Sequence, residues 1–482
     1  MTLIQYLCAI CGAGKTRALA RYAKALASDG EKVLIVQKTI KLIKSTVCDE
    51  IGAAPFSVTI FHCDDNGSGN VSVRLSQHFK NAGPGGEIVV TTHETFAHMP
   101  YYEGKEKWHV IVDEVPQIDD MKCFNLSETY SIILERLTPT VFNENWYRLE
   151  GNDGLEALAK NPNGDLLWDL LKGLARKIAS DHWDVYALRK YYDALIDGEC
   201  VDGEDFGKIE FFSAMRPSIF DGFKSVIIAG ANFKKSLLYK VWSAKGFEFK
   251  SMPPFLKKYL RDEFRAGKHE KGDLLKIYYA YNSNWSKHHR DQTTALTTGE
   301  TVERSANIVR VFGELMGDEE FAFMANNDWS NGDFVSWKKA IRMSGSPHGD
   351  NSYMGLHNIA ILSALNPTPN RGSFLKEVLG LGKDDIREAL YHDPVYQALC
   401  RISIRSPDDM TPKRVVVMDH AMAIWIRDMF PGSEVMKLDM GEAMKPETRG
   451  RKKSDNPSPA AIKKQKQRAK WAALAALAAS AI

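Results

Sequence analysis

From Thr2 to Glu114 the chain alternates between short apolar runs and longer stretches with helical spacing. LIQYLCAI (3–10), KVLIVQ (32–37), SVTIFH (57–62), EIVVTT (87–92) and WHVIVDE (108–114) are β-rich and nearly continuous in apolar character. That suits strands covered on both faces. Between them lie a helix over 15–28 and the helical stretches KLIKSTVCDEIG and VRLSQHFKNAG. Strands alternating with helices predict βαβ units and a parallel sheet.

The rhythm breaks over 118–220, where YSIILERL, LLWDLLKGLARKI and DVYALRKYYDALI carry helical periodicity and many aromatics. This predicts a mainly helical insertion. β character returns at KSVIIAGANF (224–233), and LLKIYYAY, the helix ERSANIVRVFGELMG, then EEFAFMAN, HNIAILSALNP and RVVVMD predict a second α/β domain. The expected organisation is a first domain over 1–233 with its insertion, a second over 234–440, and a basic linker with an Ala-rich helical tail over 441–482.

The length of 482 residues exceeds what one core supports, in keeping with that division. Net charge is only +2, so a nucleic-acid partner must be met by a local patch. One such patch is the tail, with ten Lys and Arg between Lys445 and Lys470 against Glu447 and Asp455. In its last segment Trp471, Leu474 and Leu477 recur every three residues, so either tail or insertion can be expected to dock a protein partner. Seven scattered cysteines read as reduced thiols, and the Cys8/Cys11 pair lacks the second pair that zinc needs. His288 and His289, beside Lys287 and Arg290, read as a basic loop. With no basic leader before the apolar start and no apolar run near the roughly 20 residues of a membrane span, the expectation is a cytoplasmic protein without membrane contact. Oligomeric state is not legible.

The chemistry starts at A9-I-C-G-A-G-K-T16, a phosphate-binding loop with Ala in place of its first glycine. Gly12, Ala13 and Gly14 offer backbone N–H groups to phosphate oxygens at the positive end of the following helix, on which Arg17 comes next. Lys15 reaches the β- and γ-phosphates and the Thr16 hydroxyl ligates Mg²⁺. WHVIVDEVPQ delivers two carboxylates at the end of a strand. Asp113 is expected to hold Mg²⁺, and Glu114 to orient and deprotonate the attacking water.

With these residues in view, the sequence resembles the superfamily 2 helicases, the DEAD/DEAH-like class of two tandem RecA-like domains. AICGAGKT resembles motif I and DEVP (113–116) its DExx box. VQKTIKL (36–42) resembles motif Ia, TTHETF (91–96) the segment before the DExx box, and AGAN (229–232) stands where motif III, usually SAT, belongs. FAFMANND (321–328) matches motif IV in position, residues 346–367 motif V, and YQALCRISIR (396–405) motif VI.

The resemblance implies ATP as nucleotide. It implies nucleic-acid contacts at Lys38, Thr39, Thr92, His93, Asn326, Asn327 and Ser346, and coupling between sites at Ala229, Gly230, Ala231, Asn232, Gly349 and Asp350. It also implies a γ-phosphate-facing set in motif VI. There Gln397, Arg401 and Arg405 are evenly four apart, whereas the family's QxxGRxxR has arginines three apart. Even spacing predicts one helical face, with Arg405 the favoured finger and Arg401 its neighbour.

The expected function is ATP-dependent translocation on, or unwinding of, nucleic acid, DNA before RNA, in a phage or mobile-element setting. The alternatives are an ATPase that remodels protein–DNA complexes without unwinding, and a nucleotide-gated binding or sensor module. A packaging enzyme should carry an acidic nuclease cluster after the motor, and 416–482 offers none.

Overall fold

The computed structural model describes residues 3–63, 70–99, 103–126, 129–201, 206–252, 260, 269–345, 352–406 and 408–443. By contact the chain divides into two units, 1–292 with 304–440, and 293–303 with 441–482.

In chain order the first unit opens with β1 (Ile4–Cys8), β2 (Lys32–Gln37), β3 (Ser57–Phe61), β4 (Glu87–Thr92) and β5 (Trp108–Asp113). An excursion follows with β6 (Asp119–Asn125), β7 (Leu137–Val141), β8 (Trp146–Gly151), β9 (Trp183–Leu188) and β10 (Lys208–Met215), before β11 (Ser225–Gly230) and β12 (Phe249–Ser251). The first sheet is seven-stranded in the order β12-β1-β11-β5-β2-β4-β3, and every pair in it is parallel. β2 and β5 are buried at every residue, as their unbroken apolar runs require when helices cover both faces.

A second parallel sheet holds β13 (Leu275–Tyr281), β16 (Phe321–Met324), β17 (Ala340–Arg342), β18 (Asn358–Ile361), β19 (Lys413–Asp419) and β20 (Glu434–Lys437), in the order β17-β16-β18-β19-β13-β20. Two tandem parallel α/β lobes are therefore present, as expected of the RecA-like pair. The second unit holds the small hairpin of β14 (Thr293–Ala295) and β15 (Thr301–Glu303), with Glu442 bridging to Leu296.

Two expectations need correction. The insertion does carry the helices Leu155–Lys160, Leu166–Ile178 and Arg189–Asp197, but they pack on a five-stranded antiparallel sheet, β6-β10-β9-β8-β7, that periodicity did not predict. The misreading is local. In DVYALRKYYDALI the strand β9 passes straight into a helix whose N-cap, Leu188, offers no side-chain cap, so no Gly, Pro or capping residue marks the change. The first lobe also runs past residue 233. β12 pairs with β1, and Trp242 of the helix Leu237–Ala244 lies in the first lobe's core, so the boundary falls after Met252. The tail from Met444 onward, with its basic cluster and Trp471, Leu474 and Leu477, lies outside the described residues. Among the described residues no helix is long and apolar enough to cross a membrane.

Candidate functional site

β1 ends at Cys8, and the loop after it turns on two left-handed residues, Gly12 (φ 84°) and Gly14 (φ 80°), before the helix Lys15–Ser28. Only glycine takes this conformation without strain. At the helix start Gly14 supplies no side-chain cap, which leaves the first-turn N–H groups to an anion. Register then brings the motifs level, since Cys8 pairs with Gly230 and Ala229 with Asp113. The phosphate loop, AGAN and the acidic pair thus share one strand-end edge of a parallel sheet, where such sheets bind ligands.

Asp113 is buried at 1% exposure. Its Oδ2 accepts from Thr16 Oγ1 at 2.7 Å and from Gln37 Nε2 at 3.1 Å, and Gln37 also donates to Thr46 Oγ1 at 2.8 Å. Burial, followed by the neighbouring charge of Glu114, raises the Asp113 pKa, against the pull of the Thr16 and Gln37 hydrogen bonds. Its other oxygen, Oδ1, is buried with no hydrogen-bond partner among the described residues. An orphaned carboxylate oxygen beside a hydroxyl is a donor set that fits a hard divalent cation such as Mg²⁺. Lys15 Nζ lies back on its own loop, donating to the carbonyls of Ala9 at 2.9 Å and Ile10 at 3.1 Å.

Glu114 stands at φ 70°, a left-handed backbone that costs a non-glycine residue roughly 1–2 kcal/mol. Such strain is retained where a side chain has to be aimed. Beside it His93 Nε2 meets the Asp113 carbonyl at 3.1 Å. AGAN closes the other flank: a Cβ on Gly230 would sit 2.5 Å from Val115 Cγ2, so that glycine is required by close approach.

The second lobe reaches into this edge. The Cys11 N–H donates to the Tyr396 hydroxyl at 3.0 Å, and the Cys11 thiol donates to Gln397 Oε1 at 3.2 Å. Arg401, itself buried, lies 3.8 Å from Glu114 Oε1. A Cβ on Gly12 would come within 3.0 Å of Arg405 Cβ, so Arg405 packs directly over the loop. Asn232, at φ 56°, donates to Asp393 Oδ1 at 3.1 Å. A cavity of about 890 Å³ opens beside these groups and is lined by Lys15, Lys38, Glu114, Asn232, Asp393 and Gln397.

Gln397, Arg401 and Arg405 converge, but not as one helical face. The helix Asp393–Leu399 ends at Cys400, Ile402 is extended, and Ser403–Arg405 is a separate 3-10 turn. Buried Ile402 and Ile404 pull the chain out of the helix and into the second lobe's core. Arg17 is exposed on the helix after the loop.

The expected nucleic-acid residues are more dispersed. Thr39 caps the helix Ile40–Ser45 through the Leu42 N–H, and Thr92 caps His93–Ala97 through the Thr95 N–H. Asn326 spends both ends of its amide on Ala364, accepting from its N–H at 2.7 Å and donating to its carbonyl at 3.1 Å. Asn327 is exposed, whereas Lys38 lines the cavity beside Glu114. Ser346, Gly349 and Asp350 lie outside the described residues.

Sequence reading missed Gln37, Tyr396 and Asp393. For Gln37 a signal existed, a polar residue ending an otherwise apolar buried strand, since a buried amide needs partners.

Tyr396 also meets His269, whose Nε2 lies 2.8 Å from the tyrosine oxygen and whose ring stacks on Phe430 with centroids 4.0 Å apart. Burial, followed by the charge of Lys15, pushes the His269 pKa down from 6.5 to about 3. Between pH 7 and pH 5 the unfolded chain therefore takes up a proton that the folded chain refuses. Stability is expected to fall by about 2 kcal/mol from this residue over that window. Urea unfolding at the two pH values measures it, and His269→Gln should lose less between them than the parent chain.

No protein-family model matches the chain, and no curated protein matches it. Among solved structures it is similar to S. cerevisiae Dbp5 bound to RNA and ADP BeF3, at 9% identity and a TM-score of 0.37, over 91% of this chain and 86% of that one. It is similar to Mss116p bound to ssRNA and AMP-PNP at 9% identity and 0.34, over 91% and 72% of the two chains. T4 UvsW gives 10% identity and 0.21, over 91% and 74%. At these scores the likenesses carry no weight beside the side-chain geometry.

Proposed function

We propose that this chain is an ATP- and Mg²⁺-dependent nucleic-acid motor of the superfamily 2 helicase type, hydrolysing ATP between its two α/β lobes. One observation carries the reading: Tyr396, Gln397, Arg401 and Arg405 of one lobe meet the phosphate loop and Glu114 of the other. A site built from two bodies lets a nucleotide favour their closure, and removal of the γ-phosphate releases it.

Gly12, Ala13 and Gly14 cradle the phosphates, Lys15 swings from its loop carbonyls onto them, and Arg17 flanks the cradle. Thr16 and Asp113 hold Mg²⁺, which when bound neutralises phosphate charge. Gln37 positions Asp113, and Glu114 takes the proton of the attacking water with Arg401 holding its carboxylate. Arg405 meets the charge of the transferring phosphoryl group and Gln397 the loop. Ala229, Gly230, Ala231 and Asn232 transmit the state of the site through Asp393.

The nucleic acid proposed is DNA. ATP turnover measured with single-stranded DNA, duplex DNA and RNA at several salt concentrations tests this, because phosphate-driven binding is salt-steep. No stimulation by any of the three would leave a nucleotide-gated module. Stimulation by RNA alone would reassign the substrate, and stimulation without displacement of a labelled strand would favour a remodelling translocase.

A further inference from the structure

The apolar side chains between β18 and β19 do not all serve the lobe to which those strands belong. Phe374, Leu375, Leu379 and Leu381 are buried in one core with Trp146, Tyr186 and Phe212 of the insertion and Trp242 of the first lobe. From Tyr391 onward the chain returns to the core of the second sheet. In sequence this segment is second lobe; in packing it is first.

The docking is aromatic at its centre. The Phe374 ring stacks on Phe212 with centroids 5.1 Å apart and is flanked by Trp146 at 5.7 Å and Tyr186 at 5.9 Å. Around it, Glu377 Oε2 accepts from Trp146 Nε1 at 3.1 Å and from Asn145 Nδ2 at 3.0 Å. Asn370 donates to Glu210 at 2.7 Å, and Arg371 makes two contacts to buried Asp119, at 2.8 and 2.7 Å. Lys240 pairs with Asp385 and Lys235 with Glu388, each at 2.8 Å.

The nucleotide edge of the same lobe pair is different in kind. It is held by the Cys11, Arg401 and Asn232 contacts and borders a cavity, so parting it re-exposes few apolar groups. Parting the segment from the insertion would expose four buried apolar side chains and strand the Asp119 charge, the costlier separation. Its ends return to the second lobe. Asn366 bonds the Trp285 carbonyl there and Pro367 follows, and at the far end Arg387 makes two 2.9 Å contacts to buried Asp419 of β19, just before the π-helical turn Glu388–His392.

We propose that residues 369–386 are an arm fixed on the insertion that travels with the first lobe, while the second sheet swings on the connections at 366–368 and 387–392. The insertion is then an anchor that keeps the lobes joined through every nucleotide state. The proposal rests on the ATPase reading for what drives the swing, but not for which contacts hold.

Two measurements on the full chain test it. In the unmodified protein, amide hydrogen exchange with and without AMP-PNP and Mg²⁺ should leave protection of 369–386 unchanged; deprotection of that segment by the nucleotide, or rapid exchange there in both states, overturns the proposal. The second uses Asn145→Cys with Glu377→Cys, in a background with the exposed Cys8, Cys48, Cys63, Cys123 and Cys200 changed to Ser. Reaction with a short bis-methanethiosulfonate, which joins its linker to each thiol through a disulfide as methanesulfinate leaves, should cross-link the pair across the space the two side chains occupied and leave ATP turnover within about twofold of the dithiothreitol-reduced form. Failure of the pair to cross-link, or a tenfold loss of turnover that reduction restores, overturns the arm. A reduced protein without turnover counts instead against the ATPase reading, and the exchange experiment still decides the arm.

Discussion

Glu114→Gln is expected to cut ATP turnover by about 10²–10⁴-fold, the usual worth of a positioned general base, while ATP affinity stays within a few-fold. The backbone at φ 70° aims this side chain away from the strand and toward the cavity that also receives Lys15. Glutamine keeps the shape and loses the proton acceptor, so a deficit confined to kcat identifies the base. Steady-state turnover and a fluorescent-nucleotide titration on the same protein separate the two quantities. Unchanged turnover would remove Glu114 from the chemistry, and a parallel loss of affinity would mean that the strained turn, rather than the carboxylate, had been disturbed.

The second large effect is expected at Arg405. Its main chain and Cβ lie against Gly12, so its guanidinium starts from the phosphate cradle itself, whereas Arg401 lies 3.8 Å from the Glu114 carboxylate. Arg405→Ala should therefore lose transition-state charge stabilisation, about 10³-fold or more in kcat, as for an arginine finger. Arg401→Ala should cost less, roughly the part of general-base efficiency that depends on holding Glu114. Arg405→Lys should rescue only partly, because an ammonium lacks the planar fork that meets phosphoryl oxygens at two points. If Arg401→Ala proves the more damaging, the two roles exchange.

What could be read in advance followed from how local each signal is. The strands of the first sheet, the phosphate loop and the Asp113–Glu114 pair are contiguous stretches whose residue types are required by their own backbone or chemistry. β9 was not legible, because a strand that runs uncapped into a helix looks like one amphipathic helix. Arg401 and Arg405 were legible as charges at an even spacing, but the helix break at Cys400 was not. That break depends on where Ile402 and Ile404 find a core.

By itself, then, the sequence determined two parallel α/β lobes and one wall of the proposed phosphate site, since strand burial and a left-handed glycine turn are written in neighbouring residues. Only the tertiary structure decided that Gln37 orients Asp113, that Tyr396 takes a loop N–H, and that Phe374 packs in the insertion rather than in its own lobe. Each of these contacts joins residues distant in the chain. Their partners are fixed by which surfaces the packed sheets bring together, and no periodicity within a segment encodes that.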